Sequence, residues 1–224
     1  MKQQKTKKLT VLSMLCAMAY VTTFVFHFLG ISFIPVLSFL SYDPKDIIIV
    51  IGGFLYGPLA SVAVSVVVSI LEFLTISKTG LIGLAMNILS SCAFALPAAL
   101  IYKRKHSLKG AILGLCAGVG AMVAVMLAWN YILTPLYMTG VTREQIAQLL
   151  IPAFLPFNLI KGCLNATATA LLYRPLVQAL RSAGLFPKSA EGKTMEKSTQ
   201  IRFYLITAVL LLFTLGAVFY FRFK

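Results

Sequence analysis

Along the chain, long apolar runs alternate with short polar breaks. Leu59 to Ile76 is one such run, and it lacks the apolar–polar alternation that a membrane barrel strand carries. Most of the runs are long enough to cross a bilayer as a helix, which takes about 20 residues. The pattern predicts helices over 9–29, 46–56, 58–76, 81–102, 110–137 and 151–180, and a seventh over 201–221. Asp46 reads as the N-cap of the second helix, and Pro58 suits the first turn of the third. The stretch holding Arg143 and Glu144 reads as a loop, with Pro152 and Pro156 near the start of the sixth helix. Residues 181–200 are polar and include Gly184, Pro187, Ser189 and Gly192, a composition that favours a flexible linker. The expected architecture is an all-α integral membrane protein. A six-helix membrane domain fills 1–180, the polar linker fills 181–200, and an additional transmembrane helix fills 201–224. No internal repeat is visible.

Composition agrees with this picture. The chain is 59% hydrophobic and 12% charged, against about 25% charged residues in soluble domains. That leaves too little polar side chain to coat a water-facing surface. Backbone groups in lipid must be satisfied internally, so a helical bundle follows. The basic start, Met1 to Lys8, leads into an apolar run too long for a cleaved signal and reads as a retained first helix. Cys16, Cys92, Cys116 and Cys163 lie in apolar segments without metal-ligand spacing, so no metal site is expected.

The net charge of +14 is an orientation signal rather than a mark of nucleic-acid binding. With the N-terminus in the cytoplasm, inner segments hold four, four and six Lys or Arg: 2, 5, 7, 8; then 103, 104, 105, 109; then 174, 181, 188, 193, 197, 202. Outer segments hold five (Lys45, Lys78, Arg143, Arg222 and Lys224), and Lys161 falls inside a helix. Fourteen against five predicts a multi-pass protein of the cell membrane with a cytoplasmic N-terminus.

Polar side chains within the bilayer are costly and usually functional. Here they are Glu72, Asn87, Asn130, Asn158, Lys161 and Asn165. Counted from the outer helix ends, the first five lie roughly 6 to 15 Å deep at 1.5 Å per residue. Four helices therefore contribute to one layer below the outer surface, as an outward-opening pocket requires. Asn158, Lys161, Gly162 and Asn165 share one helix face. With Gly162 removing bulk between two amides and an ammonium, that face suits a flat ligand of alternating carbonyls and ring nitrogens. The plainer alternatives are that the amides tie helices together and that Lys161 pairs with Glu72. His27 reads as an interfacial residue, and Trp129 as either a ring-stacking partner or an interfacial anchor. The sequence holds no Ser-His-Asp arrangement, HExxH, P-loop or GxGxxG, so no catalytic residue and no bound cofactor are expected. Any ATP-driven step would need an ATPase from another protein.

Three motifs carry a resemblance: Tyr42-Asp-Pro-Lys-Asp46, Gly52-Gly-Phe-Leu-Tyr-Gly-Pro58 and Asn158-Leu-Ile-Lys-Gly162. Together, over about residues 9–180, they resemble the riboflavin-specific S components of energy-coupling factor (ECF) transporters. The resemblance implies a six-helix fold that captures riboflavin or a related flavin at the extracellular side. It also implies a partner module of one membrane-spanning coupling subunit and two cytoplasmic ATPases. Asn130, Asn158 and Lys161 would make the polar contacts to the isoalloxazine ring, and the loop at Tyr42 and Asp43 would cover the pocket. Ser13 and Ala17, four apart on the first helix, would face the coupling subunit. Other readings are an S component for thiamin or biotin, an intramembrane enzyme using Glu72 and Lys161 as acid and base, or a purely structural membrane protein. The helix over 201–221 lies outside the resemblance and is expected to be dispensable for binding.

Overall fold

The computed structural model describes residues 2–31, 41–77, 79–137, 142–183 and 197–223, and among them every regular element is helical. In order these are α1 (Lys2–Leu29), α2 (Lys45–Tyr56), α3 (Pro58–Thr75), α4 (Gly80–Lys105), α5 (Leu108–Tyr137), α6 (Arg143–Leu149), a π-helical turn (Leu150–Phe154), α7 (Leu155–Ser182) and α8 (Lys197–Phe223). Six of the helical stretches are long and apolar enough to cross a membrane: α1, α3, α4, α5, the run from α6 through α7, and α8. The sixth member of the expected six-helix domain is α2. Its 12 residues span only about 18 Å, and ten of them are buried. A bilayer core is about 30 Å thick, so α2 is too short to cross it and one of its ends lies within the membrane layer. Non-helical backbone at such depth persists only where protein or a watery cavity surrounds it, and residues 41–44 meet that condition.

The reason Asp46 is not a cap follows directly. The N-cap of α2 is Pro44, without a side-chain hydrogen bond, and Asp46 is fully buried as the second residue of the helix. Lys45 is 1% exposed, so it leaves the tally of outer-loop charges, reducing five to four. Gly57 turns the chain between α2 and α3 at φ +93°, a conformation open to glycine, and Pro58 then occupies the first turn of α3.

The expected loop around Arg143 is helix. Thr142 and Gln145 form a reciprocal capping box, with the Gln145 N–H on Thr142 Oγ1 at 3.3 Å and the Thr142 N–H on Gln145 Oε1 at 2.9 Å. The helix then widens instead of breaking. Pro152 and Pro156 lack the N–H that the ladder needs, and the Leu155 N–H donates to the Leu150 carbonyl five residues back. At the other end of the chain, residues 184–196 of the expected linker lie outside the described residues, while Lys197–Gln200 already belong to α8.

One core, built on Val11, Leu15, Ile49, Val64, Phe94 and Met122, joins α1 to α5. Backbones meet where glycines face them: a Cβ on Gly114 would stand 2.7 Å from the Ala98 carbonyl oxygen, and one on Gly118 would clash with that of Phe94. Spaced four apart, these glycines let α5 lie directly on α4. Gly162 serves the same end. Its missing Cβ would meet Met122 and Val119 at 3.0 Å, so Gly162 packs α7 on α5 and does not open a gap in the pocket. A second cluster, with Ile146, Phe154, Phe157 and Leu164, is covered by Leu211, Ala217, Val218 and Phe221 of α8.

Candidate functional site

A cavity of about 420 Å3 opens at the end of the bundle where α1 and α3 finish and α4 begins, within the size range of small-molecule sites. Seven of the eight residues singled out for substrate binding line it: Tyr42, Asp43, Glu72, Asn87, Asn130, Asn158 and Lys161. They arrive from five elements, which is the convergence expected from their depths. The eighth, Asn165, is fully buried and does not line the cavity. One turn deeper than Lys161, it holds the loop: the Tyr42 hydroxyl donates to Asn165 Oδ1 at 2.9 Å, and its own amide donates toward the Asp43 carbonyl at 3.5 Å and Asp46 Oδ2 at 3.4 Å.

Below the cavity lies an ionic hub. Lys45 Nζ donates to both Glu72 oxygens, at 2.8 and 2.6 Å, and lies 2.9 Å from Asp43 Oδ2. Glu72 is therefore paired with Lys45, and the plain alternative of a Lys161–Glu72 pair does not hold. Glu72 also accepts from the Asn87 amide at 2.8 Å. Asp46 accepts from the Ser91 hydroxyl at 2.5 Å, and Asp43 from the Thr23 hydroxyl at 3.2 Å. Burial pushes the Asp43 carboxyl up, but the ammonium groups of Lys45 and Lys161 outweigh it and hold the group below the usual carboxylate range. Three carboxylates against two ammonium groups leave the hub one formal negative charge.

Lys161 is the looser member. Its Nζ is 3.8 Å from Asp46 and 4.0 Å from Asp43, beyond hydrogen-bond reach, and its side chain faces the cavity. Its ammonium is thus oriented but available to a ligand. The two pocket amides are half-committed. Asn158 donates to the Phe154 carbonyl at 2.8 Å, in the widened turn, and Asn130 donates to the Met126 carbonyl at 2.7 Å while accepting from Thr134 at 3.1 Å. Each keeps further donor or acceptor capacity. The arrangement offers charge-assisted donors and amides to one face of a polar, uncharged or weakly charged ligand, with Met86, Met126 and Phe157 as apolar wall.

His27 lines the cavity, whereas sequence reasoning placed it at the interface. Trp129 does neither of the things expected of it. It packs on the main core, and its indole N–H is buried without a hydrogen-bond partner among the described residues. Lys45 and Asp46 were missed as members of the site. The signal was present: only 11 residues separate Lys45 from Gly57, too few to raise those charges to the membrane surface. Ser13 and Ala17 are exposed on the face of α1 opposite its buried Val11, Leu15 and Ala19.

Residues 7–173 match the family model described as ECF transporter, substrate-specific component. The chain is 34% identical over 183 residues to the riboflavin transporter RibU of Staphylococcus aureus (strain TCH60), covering 80% of this chain and 94% of the relative. It is 30% identical over 190 residues to the riboflavin transporter FmnP of Bacillus subtilis (strain 168), covering 80% and 98%. A solved chain described as the S component of a bacterial ECF transporter superposes with a TM-score of 0.64 at 35% identity, covering 79% of this chain and 99% of that one.

Proposed function

We propose, from the premise that the chain belongs to the family of substrate-specific components of ECF transporters, that it is the subunit that captures riboflavin from outside the cell for uptake by a partner module. The observation that carries this is the set Asn130, Asn158 and Lys161 on one cavity of about 420 Å3, in a chain 34% identical to a riboflavin transporter. The isoalloxazine ring presents carbonyls, an N–H and ring nitrogens along one edge. An ammonium and two amides complement that edge, since Lys only donates and each amide donates and accepts. Tyr42 and Asp43 form the cover, and Asn165 holds them in place.

The reading assigns no catalytic step to this chain. Glu72, the acid of the competing enzyme hypothesis, is committed to Lys45 and Asn87. Energy comes from partners: one membrane-spanning coupling subunit, met through Ser13 and Ala17 on the outward face of α1, and two cytoplasmic ATPases. Small residues spaced by four permit close helix approach there.

The protein purified from riboflavin-fed cells is expected to be yellow and to release riboflavin on denaturation, with thiamin and biotin failing to displace it. A colourless protein that binds thiamin or biotin would reassign the substrate. Topology is checked separately. A cysteine at Ser107, in a background lacking the four native cysteines, should resist an impermeant thiol reagent in intact cells, and ready labelling would invert the orientation.

A further inference from the structure

At the end of the bundle opposite the cavity lies a second hollow of about 420 Å3, walled by Gly53 to Leu59 at the α2–α3 turn and by Lys103 and His106 where α4 ends. Vitamin capture makes no use of it. Its floor is aromatic. The Phe54 ring lies 4.5 Å from that of Tyr102 and 5.5 Å from that of Tyr173, and the two phenols share a hydrogen bond of 2.8 Å. Its rim is cationic. Lys103 lines it, Lys8 Nζ stands 5.6 Å over the Tyr56 ring, and Arg104 and Lys105 follow Lys103 at the end of α4.

No described carboxylate neutralises this rim. Of the six acids in the chain, Asp43, Asp46 and Glu72 form the hub, Glu144 lies on α6 at the outer end, and Glu191 and Glu196 fall outside the described residues. The amides of the turn supply little either: the Gly57 N–H donates to Gly53, that of Ala60 to Gly57, and Pro58 has none. The positive character is therefore carried by side chains.

His106 is an independent pointer. It ends α4 at φ +37° and ψ +40°, the one non-glycine residue with positive φ among those described. Its N–H caps the Tyr102 carbonyl at 2.8 Å, and its ring stands edge-on to the Tyr102 ring at 5.5 Å. Glycine would end the helix this way without steric cost. A histidine held in that conformation points to a use for its side chain. At the lip of the hollow, Leu59 is 82% exposed, which gives the site an apolar flank beside its charged one.

We propose that this hollow binds the phosphate of an anionic phospholipid headgroup, with Lys103 and His106 as its ligands, Lys8 at the rim and the acyl chains along Leu59. Basic hollows between membrane helices take such headgroups. An amphiphile meets both flanks, whereas a free anion leaves Leu59 without a partner. The site is independent of which vitamin the outer cavity takes.

The full-length protein in neutral detergent, titrated with phosphatidylglycerol, phosphatidylcholine or inorganic phosphate and read by native mass spectrometry, tests this. One phosphatidylglycerol should be retained at least about fivefold more tightly than phosphatidylcholine, the factor one cation contributes near a lipid surface. Lys103→Gln and His106→Gly should each abolish that preference, Lys109→Gln, outside the hollow, should keep it, and inorganic phosphate should not displace the lipid. His106→Gly relaxes the backbone, so a merely structural histidine would leave retention unchanged. Unaltered vitamin affinity in these variants shows that they fold. Equal retention of the two lipids, displacement by phosphate, full retention by both variants, or equal loss in Lys109→Gln would each overturn the proposal. So would a Lys103→Gln variant that keeps its lipid but no longer assembles with the ATPase-bearing partners, which marks a protein interface instead.

Discussion

Helices α7 and α8 lie side by side, number 28 and 27 residues, and each bury polar side chains, yet they differ in where those side chains bond. On α7, Asn165 bonds across to Tyr42, Asp43 and Asp46, and Lys161 reaches toward the same two carboxylates. On α8, the Thr214 hydroxyl donates back to the Leu210 and Leu211 carbonyls of its own helix. A hydroxyl spent on its own helix asks nothing of its neighbours. Polar groups that bond between elements, or that face the cavity with capacity to spare as Asn158 does, build a site, whereas a hydroxyl satisfied by its own helix away from the cavity only makes that helix tolerable in lipid. In a membrane, apolar packing between helices also gains little over lipid contact, because tails are as apolar as leucine. The layer of Phe221, Val218 and Leu211 over Phe154 and Phe157 therefore counts for less than its area suggests.

The largest effect is expected at the hub to which α7 is tied. Lys45→Met leaves Glu72 buried without its cation and Asp43 with only the more distant Lys161, at a cost of about 3 to 5 kcal/mol. Thermal unfolding of the purified protein should show this, with a second substitution, Glu72→Gln, recovering part of it. An unchanged melting temperature would mean that the hub contributes no net stability.

Next come Lys161→Ala and Asn158→Ala. Each should weaken riboflavin binding by about 1.5 to 3 kcal/mol, roughly ten- to a hundredfold, without unfolding the protein. Calorimetric titration gives the number, and wild-type affinity in both variants would remove α7 from the site.

The smallest effect is expected on α8. Thr214→Val should cost no more than about 0.6 kcal/mol of stability, the average for a side-chain hydrogen bond in a membrane. Truncation after Lys188 should lower yield but preserve affinity. If well-folded truncated protein loses riboflavin binding, the contrast between the two helices fails, because α8 then acts on the pocket through Phe157.

Much of this fold is legible in the sequence because lipid imposes length and apolarity on each crossing. The bounds of α3, α4 and α5 follow from that alone, as does the Gly57–Pro58 turn. The depth layer was legible too, since Glu72, Asn87, Asn130, Asn158 and Lys161 needed only a residue count from the helix ends. What escaped were features that hydropathy does not encode. Arg143, Glu144 and Gln145 are polar and resemble a loop, although Thr142 and Gln145 carry the capping-box spacing. Lys45 and Asp46 look like surface charges because hydropathy cannot say that α2 stops short. Gly162 looked like a gap because the neighbour that fills it, Val119 of α5, is 43 positions away in sequence.

The backbone contact between α4 and α5 has a mechanical consequence. Where Gly114 and Gly118 bring one helix onto the carbonyls of the other, no layer of side chains remains to slide or repack. The two helices form a single stiff spar, and Asn87 and Asn130, one on each, keep a fixed separation. Any widening of the cavity must then be taken up on its other sides, by α7 or by residues 41–44. That chain segment is tethered by hydrogen bonds at Ile31, Thr23 and Asn165 and by the 2.9 Å ion pair of Asp43 with Lys45. The measuring edge of the pocket is rigid, and compliance is left to the edge held by polar bonds rather than by helix lying on helix.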